Sequence, residues 1–513
     1  MAQTEYAVRL QHVTKTFGPV VANKDVSLSV RRGEILALLG ENGSGKTTLM
    51  NMIAGIYYPD EGEIYVGDKA VTIRSPRDAL DLGIGMIHQH FKLVDVFTAT
   101  ENIALSMGGG RFDLKKVHEK ARAICEKYQF ALDLDQKVYE MSVSQKQTLE
   151  IVKVLYRGAD ILILDEPTAV LTPQETDKLF AVMRNMKNDG KSLIIITHKL
   201  HEVLDVSDRV AVLRKGEYIG CVQTKDADQQ SLTDMMVGHS VTLNIDRPTP
   251  VNVKPRLDIK GLTVFDEMGV KRLDDVTFTV NAGEVLGIAG IAGSGQRELL
   301  ESIAGLYPVA SGSVTYYNPD NDQPKELVGL SPMAIRKSGI AMSFVPEDRL
   351  GMGLVGSMGM TGNMMLRSWR KGSSIFLDRK DPEALANRIW QELEVVTPST
   401  SFPVRRMSGG NVQKVLVGRE IAQQPAVLMT AYAVRGLDIN TSYTIYNLLT
   451  EQKMRGVAVV YVGEDLDVLL ELCDRIVVLC GGQVSGVVDA RTTDKRQIGA
   501  LMTLVNKGGK ADE

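Results

Sequence analysis

The sequence of 513 residues has few cysteines and no long hydrophobic run. The four cysteines contain no C-x-x-C pair, which argues against a disulfide framework or a zinc site and favours reduced thiols in a cytosolic protein. No apolar stretch approaches the ~20 residues that a membrane-spanning helix needs. If the protein works at a membrane, other chains must span it.

Two further absences narrow the class of protein. The net charge is −4 and both signs are mixed along the chain, so no nucleic-acid-binding surface is indicated. Residues 1–6 have neither the basic region nor the apolar region of a secretory signal. At this length the chain can form several domains, each with its own buried core.

The chain is organised around a glycine-rich segment at 40–48, which lies between an apolar run at 35–39 and an apolar-periodic stretch at 49–53. It matches the pattern G-x-x-x-x-G-K-[ST] in its required context of strand, turn and helix. Glycines let backbone N–H groups converge on phosphate oxygens, and the helix N-terminus adds partial positive charge. Lys46 can reach the terminal phosphates, and the Thr47 hydroxyl can bind Mg²⁺. The predicted nucleotide-binding residues are Gly40, Glu41, Asn42, Gly43, Ser44, Gly45, Lys46, Thr47 and Thr48.

A second apolar run, at 161–164, ends in the carboxylates Asp165 and Glu166. At a strand end that faces the phosphate loop, Asp165 suits Mg²⁺ binding. Glu166 is placed to orient and deprotonate a water that attacks the γ-phosphate in line. The alternative is a solvated strand end, and the four apolar residues before the pair weigh against it.

The chain contains an internal repeat. Gly40 and Gly45 recur as Gly290 and Gly295 (290 − 40 = 250), and residues 207–213 recur as 473–479 (473 − 207 = 266). Landmarks that stay collinear over this distance indicate tandem domains. The predicted boundaries are a first domain at 1–240, a proline-containing linker at 241–255, a second domain at 256–505 and a disordered tail at 506–513.

The order of motifs in the first half resembles that of the ATP-binding cassette (ABC) ATPases, and this resemblance covers nearly the whole chain twice. It implies an α/β fold of two tandem P-loop ABC ATPase domains, each with a RecA-like core sheet, an antiparallel β part and a helical subdomain. The resemblance further implies that Gln89 reaches Mg²⁺ and water and faces a membrane partner, and that His198 contacts the γ-phosphate. Phe17 matches the aromatic residue that stacks on adenine in this family, with a place in the core as the alternative.

The second half differs where the chemistry would occur. The corresponding residues are Gln296 for Lys46, Arg297 for Thr47, Ala431 for Asp165, Tyr432 for Glu166, Glu464 for His198 and Glu347 for Gln89. Ala431 and Tyr432 can neither bind a metal nor activate water, so we expect no hydrolysis by the second half. Phe17 corresponds to the region of Glu267, where no stacking aromatic is evident.

The family's signature motif, L-S-G-G-Q, shows the reverse distribution. The second half keeps Ser408, Gly409, Gly410 and Asn411, whereas the first half has Val143 and Ser144 in place of the two glycines. In this family each signature caps the nucleotide of the other cassette. The resemblance therefore implies one competent composite site, made by the first-half motifs with residues 408–411, and one degenerate site.

Residues 407–411 and 345–349 resemble those of bacterial monosaccharide-importer ATPases, and residues 88–102 are closer to the nucleoside-importer branch. The resemblance implies ATP and Mg²⁺ as cofactors, and two transmembrane permease subunits and an extracytoplasmic solute-binding protein or lipoprotein as partners. It also implies no nucleic acid, and a peripheral position on the cytoplasmic face of the cell membrane. We therefore expect an ATPase that powers nucleoside import.

Three alternatives remain open. The same role for a monosaccharide such as ribose or galactose is the first. A soluble tandem ABC protein acting on ribosomes or DNA is the second, although the short linker and the pair Ala431-Tyr432 are untypical of that class. The third is a nucleotide-gated binding module without turnover, which would require Glu166 to be idle.

Overall fold

The protein is described by a computed structural model covering residues 5–88, 91–107, 113–169, 171–197, 199–239, 244–251, 253–369 and 377–504. The chain divides into two compact units, Met1–Thr242 and Leu243–Glu513. Gln89 and His198, for which the sequence predicts catalytic roles, lie outside the described residues.

The first unit alternates strands with helices. Its strands are β1 (Tyr6–Phe17), β2 (Val20–Arg31), β3 (Ile35–Leu39), β4 (Glu61–Val66), β5 (Lys69–Val71), β6 (Ile84–Ile87), β7 (Ile161–Asp165), β8 (Ser192–Ile196), β9 (Arg209–Arg214) and β10 (Glu217–Gln223). Its helices are α1 (Lys46–Ile53), α2 (Pro76–Asp81), α3 (Ala99–Leu105), α4 (Leu114–Tyr128), α5 (Val143–Tyr156), α6 (Pro173–Asn188), α7 (Leu200–Val206) and α8 (Gln229–Val237), with short 3₁₀ helices at Val138–Glu140 and Thr224–Asp226.

The described strands of this unit form two sheets. One is antiparallel in the order β2-β1-β4-β5, and the other is the core sheet in the order β10-β9-β3-β8-β7-β6. Strands β6, β7, β8, β3 and β9 are parallel to their neighbours, and β10 joins β9 antiparallel. Every residue of β3, β7 and β8 is buried, as continuous apolar runs in a parallel sheet require. Their carboxyl ends therefore meet at one edge of the sheet, where ligands of such sheets bind.

Helices α3, α4 and α5 form a helical part with its own core, to which Ile103, Val117 and Leu149 contribute. Two of these helices begin with reciprocal side-chain caps, Thr98 with Glu101 for α3 and Ser142 with Gln145 for α5. A core sheet, an antiparallel sheet and a helical part are the three components that the sequence predicts, so the fold prediction is confirmed for this unit.

The second unit repeats this arrangement. Its strands are β11 (Pro255–Phe265), β12 (Lys271–Asn281), β13 (Val285–Gly290), β14 (Ser311–Tyr317), β15 (Pro324–Glu326), β16 (Met342–Val345), β17 (Val427–Ala431), β18 (Ala458–Val462), β19 (Arg475–Cys480) and β20 (Gln483–Asp489). Its helices are α9 (Gln296–Ile303), α10 (Pro332–Lys337), α11 (Met360–Met365), α12 (Lys380–Glu392), α13 (Gly409–Ile421), α14 (Ile439–Met454), α15 (Leu466–Leu472) and α16 (Lys495–Thr503), with a π-helix at Arg349–Gly353 and a 3₁₀ helix at Val404–Arg406.

The sheet orders of the second unit are β12-β11-β14-β15 and β16-β17-β18-β13-β19-β20, which match the first unit strand for strand in the described chain. Its core sheet again pairs parallel from β16 to β19 and ends with the antiparallel strand β20. Two copies of one α/β fold therefore carry different side chains at the same strand ends.

The segment at 244–250, which falls in the predicted linker, contacts the second unit. Ile245 is buried in that unit's core, and the Arg247 guanidinium donates to the carbonyl oxygens of Leu470 and Cys473 at 2.6 and 2.9 Å. The Lys453 ammonium donates to the carbonyl oxygen of Pro248 at 2.5 Å. These contacts make residues 245–248 part of the second unit.

Two expectations from composition can be compared with the described residues. All four cysteines are free thiols. Within the described ranges, no helix is long and apolar enough to cross a membrane.

Candidate functional site

The phosphate loop of the first unit needs its glycines. Gly45 precedes α1 with φ 95°, a backbone conformation that favours glycine. A Cβ at Gly45 would lie 2.4 Å from the carbonyl oxygen of Ala22, and one at Gly40 would lie 2.3 Å from that of Leu213. The loop thus packs too tightly against neighbouring strands for any side chain at these two positions.

The loop places Lys46 and Ser44 inward. The Lys46 ammonium donates to the carbonyl oxygens of Gly40 and Glu41 at 2.6 and 2.9 Å, and its side chain is buried. The Ser44 hydroxyl is buried and has no hydrogen-bond partner among the described residues. Since an unpaired buried hydroxyl is costly, a ligand with phosphate oxygens would satisfy it. Thr47 is exposed on the first turn of α1, where its hydroxyl is accessible.

The two carboxylates stand at the end of β7. Asp165 is its last residue, buried and paired with Ile196 of β8. Glu166 follows with φ 47°, and its backbone N–H donates to the carbonyl oxygen of Ile196 at 2.8 Å. A positive φ at a non-glycine residue is a strained conformation of the kind found at functional sites.

The charges of this cluster act on one another. Burial, followed by the charge of Glu166, raises the pKa of Asp165 to about 6, and the Lys46 ammonium opposes this shift. Burial lowers the pKa of Lys46, which the charges of Glu166 and Asp165 oppose. Lysine, aspartate and glutamate therefore share one poorly solvated site, in the arrangement that the sequence predicts.

These residues fit a magnesium nucleotide. Mg²⁺ is commonly held by one or two carboxylates together with substrate phosphates and water. The described residues include no cluster of three metal-ligating side chains. The carboxylate of Asp165 and the hydroxyl of Thr47 would hold the ion, and Lys46 with the loop amides would hold the phosphates.

Glu202 is a residue of the site that sequence analysis missed. Its buried carboxylate accepts a hydrogen bond from the Thr168 hydroxyl at 2.6 Å and pairs with the Lys199 ammonium at 3.1 Å. It therefore ties the chain after Glu166 to the chain after β8. In the second unit, Val434 and Val468 occupy the positions of Thr168 and Glu202 (offset 266), so these polar contacts are specific to the first unit.

Phe17 lies at the end of β1, where its side chain is 42% exposed. This exposure excludes the alternative of a core residue and leaves the ring accessible to a base. Tyr57 lies edge-on to the ring with centroids 5.1 Å apart, a partner that no sequence signal indicated. In the second unit, Phe265 ends the corresponding strand and is also exposed. Phe265 does not stand at the position of Phe17, because β11 is displaced by one residue: Phe265 pairs with Lys271 as Thr16 pairs with Val21, and Asp266 follows where Phe17 stands in β1.

The phosphate loop of the second unit keeps its backbone but loses its charge. Gly293 and Gly295 have φ of 88° and 97°, matching Gly43 and Gly45 at 81° and 95°. The buried Gln296 amide donates to the carbonyl oxygen of Ile291 at 3.1 Å, in the place of Lys46. Arg297 stands at the position of Thr47, and its guanidinium pairs with the Glu301 carboxylate at 2.6 Å.

The second unit also carries different side chains at the positions that correspond to Asp165, Glu166 and His198. Tyr432 has φ 50° and donates its backbone N–H to Val462, so its backbone repeats that of Glu166. The Arg435 guanidinium lies 6.0 Å from the Tyr432 ring and pairs with Glu347 at 2.5 Å and Glu464 at 3.1 Å. An internal cation therefore joins the residues that correspond to Gln89, Glu166 and His198.

The signature segment of the second unit begins α13. Ser408 caps this helix: its hydroxyl accepts from the backbone N–H of Asn411 at 3.4 Å and from the Asn411 side-chain amide at 2.8 Å. A Cβ at Gly410 would lie 3.1 Å from a carboxylate oxygen of Asp438, so the helix start approaches α14 closely. In the first unit, Val143 is the first residue of α5 and carries a side chain where Gly409 has none.

A stability prediction follows from the Asp165 carboxyl. The Asp165 carboxyl keeps its proton up to about pH 6 in the folded protein, whereas it loses that proton near pH 4 in an unfolded chain. The folded protein therefore loses stability as pH rises from about 4 to 6, and the full loss persists above pH 6. Without magnesium or nucleotide, Asp165→Asn should therefore raise the free energy of unfolding at pH 7.5 by about 1–3 kcal/mol. The gain should shrink as pH falls through 6 and vanish near 4. Denaturant titrations at several pH values measure it.

The matched control is Asp177→Asn, which removes an exposed carboxylate from α6. It should show no comparable gain. A gain for Asp165→Asn that stayed constant between pH 4 and 7.5 would contradict the assignment of the raised pKa.

The fold and the site define a P-loop ATP-binding protein with two nucleotide-binding folds in one chain, of which the first carries the buried lysine and the two carboxylates. The family that matches is described as ABC transporter, over residues 23–169 and 273–430. The chain belongs to the ABC transporter family, and its ATPase activity is coupled to transport.

Similar proteins extend over the full length. A nucleoside import ATP-binding protein of Lactococcus lactis subsp. cremoris is 40% identical over 517 residues, 99% of each chain. A guanosine import ATP-binding protein of Bacillus subtilis is 40% identical over 99% of this chain and 100% of its own. A ribose import ATP-binding protein of Corynebacterium glutamicum is 36% identical over 96% of this chain and 92% of its own.

A solved nucleotide-free cassette from an ABC transporter is 28% identical. It covers 44% of this chain and 97% of its own length, with a TM-score of 0.40.

Proposed function

We propose that this chain is the ATP-hydrolysing subunit of a nucleoside importer. The single observation that carries the proposal is its similarity, at 40% identity and over at least 99% of each chain, to import proteins for nucleosides and for guanosine. The set of metal-binding, base and phosphate-binding groups in the first unit supports turnover and argues against a binding module without hydrolysis.

ATP binds at the first unit in this proposal. The loop amides and Lys46 hold the phosphates, Thr47 and Asp165 hold Mg²⁺, and the exposed Phe17 ring stacks on the base. Bound Mg²⁺ neutralises charge that develops on the phosphate oxygens. Gln89 and His198 keep the roles that the sequence predicts for them, near Mg²⁺ and the γ-phosphate.

Glu166 then acts as the general base. Its strained backbone, held by the hydrogen bond to Ile196, directs the carboxylate from the end of β7 to the edge where phosphates bind. There the carboxylate orients a water for in-line attack and accepts its proton. Tyr432 at the same backbone position cannot accept a proton in this way, so turnover belongs to the first unit.

Residues 408–411 of the second unit are proposed to complete this reaction. Their serine hydroxyl and glycine backbone N–H groups are suited to the γ-phosphate, whereas Val143 and Ser144 are not. The pairing of one intact set of catalytic groups with one intact signature supports a single competent site for each chain.

The partners in this proposal are two transmembrane permeases and an extracytoplasmic solute-binding protein or lipoprotein. The chain would then lie peripherally on the cytoplasmic face of the membrane, with the segments around Gln89 and Glu347 towards the permeases. A lipoprotein or periplasmic protein would supply the cargo.

Uptake measurements test the cargo. Cells that contain the permeases but lack this chain should regain uptake of radiolabelled nucleosides when the wild-type chain is expressed, and should not regain it with Glu166→Gln. Restored uptake of ribose or galactose without nucleosides would favour the monosaccharide alternative, which the 36% identity to a ribose import protein supports. A chain that fractionates with ribosomes and restores neither uptake would contradict transport.

A further inference from the structure

Arg349 connects three segments of the second unit. It begins the π-helix that follows β16, and Asp348 caps that helix by accepting from the backbone N–H groups of Leu350 and Gly351 at 3.2 and 2.7 Å. One arm of the Arg349 guanidinium donates to the backbone carbonyl oxygen of Arg435. The other arm lies against Gly409, where a Cβ would come within 3.1 Å of the guanidinium nitrogen.

The segment that Arg349 reaches is itself held in place. Arg435 pairs with Glu347 at 2.5 Å and with Glu464 at 3.1 Å, and its guanidinium lies over Tyr432. A single exposed ion pair contributes little, but one guanidinium with two carboxylates and a ring has several restraints. The carbonyl oxygen of Arg435 is therefore a fixed acceptor for Arg349.

The first unit offers an internal comparison. Position 349 lies four residues after the end of β16, and Phe91 lies four residues after the end of β6. The phenylalanine side chain has no N–H group to donate, and the signature position of that unit carries Val143 in place of Gly409. Arginine thus occurs with the intact signature and phenylalanine with the degenerate one, as expected if the guanidinium requires the space that glycine leaves.

We propose that Arg349 is a positioning residue for the signature segment 408–411, bridging Gly409 at the start of α13 to the backbone of Arg435. One guanidinium nitrogen donates to the Arg435 carbonyl oxygen and the other packs against Gly409, and the rigid planar fork fixes these two contacts relative to each other. This inference rests on the proposed function, in which residues 408–411 assist hydrolysis of the ATP held by Lys46. It also links the segment around Glu347, proposed to face a permease, to the signature.

The test is the steady-state rate of ATP hydrolysis by the purified full-length chain as a function of ATP concentration. Arg349→Ala should lower kcat about 10- to 100-fold, since misplacing a catalytic segment by about 1 Å has effects of this size. The KM for ATP should stay close to that of the wild type, because the loop and carboxylates around Lys46 are unchanged.

Two further variants separate positioning from a general structural role. Arg349→Lys should recover part of kcat, since an ammonium can still donate to the Arg435 carbonyl but lacks the second arm. The control Arg406→Ala removes an exposed arginine two residues before Ser408 and should leave kcat unchanged. Wild-type kcat in Arg349→Ala, an equal loss in Arg406→Ala, or no recovery in Arg349→Lys would each overturn the proposal.

Replacement of the signature glycines distinguishes this failure from failure of the proposed function. If Gly409→Val with Gly410→Ser abolishes hydrolysis while Arg349→Ala does not, only the role of Arg349 is wrong. If that double variant retains full hydrolysis, the proposed role of residues 408–411 is wrong, and the inference about Arg349 fails with it.

Discussion

Replacement of Glu166 by glutamine is expected to lower the rate of ATP hydrolysis by about 100- to 10,000-fold, the usual contribution of a general base, while ATP binding persists. Glutamine keeps the size and hydrogen-bonding capacity of the side chain but cannot accept the proton of the attacking water. Lys46 and Asp165 retain their contacts, so phosphate and magnesium binding should continue. Phosphate release and equilibrium binding of a fluorescent ATP analogue measure the two effects.

The matched control for Glu166 is Tyr432, which has the same backbone conformation at the corresponding strand end, with φ 50° beside 47°. Tyr432→Phe keeps the ring next to Arg435 and removes only the hydroxyl. It should leave hydrolysis close to the wild-type rate. A loss as large as that of Glu166→Gln would contradict the proposal that only the first unit carries the base.

Exchange of the signature glycines for their first-unit counterparts, Gly409→Val with Gly410→Ser, is expected to abolish measurable hydrolysis at the intact Lys46 site. The side chains would fill space that is already short, since a Cβ at Gly409 would lie 3.1 Å from Arg349, and one at Gly410 would lie 3.1 Å from both Asp438 and Thr441. They would also hinder approach of the backbone N–H groups to phosphate. ATP hydrolysis and thermal unfolding of the double variant are the measurements.

The reciprocal exchange is the control. Val143→Gly with Ser144→Gly places both glycines in the first unit, where the complementary residues would be Gln296 and Tyr432. Hydrolysis should not increase, because no base and no lysine serve that second site. An increase would show that the degenerate side can be activated by its signature alone, against the proposed asymmetry.

Much of the first site could be predicted because its chemistry is local in sequence. The phosphate loop is a continuous segment whose glycines, lysine and threonine have roles that follow from residue type. Asp165 and Glu166 were identifiable because four apolar residues before them indicate a buried strand. The internal repeat then made the losses in the second half visible by simple correspondence.

Other features depend on contacts between residues far apart in the chain. Tyr57 meets Phe17 only because the sheets bring the end of β1 to the chain after α1. Glu202 was not identified, since a glutamate in a short helix carries no local sign of burial. The displacement of β11 by one residue is visible only in the strand register, because the hydrophobic pattern of the sequence does not reveal it.

The sequence by itself determined the kind of fold, the ligand chemistry of the first unit and the loss of catalytic groups in the second, because each depends on residue type at a strand end or in one loop. Only the tertiary structure decided what the second unit has instead. Arg435 joins Glu347 and Glu464, and Arg349 reaches Gly409, through side chains that come from separate segments. The physical reason is that charge pairing and close packing depend on distances in space, which spacing along the chain does not specify.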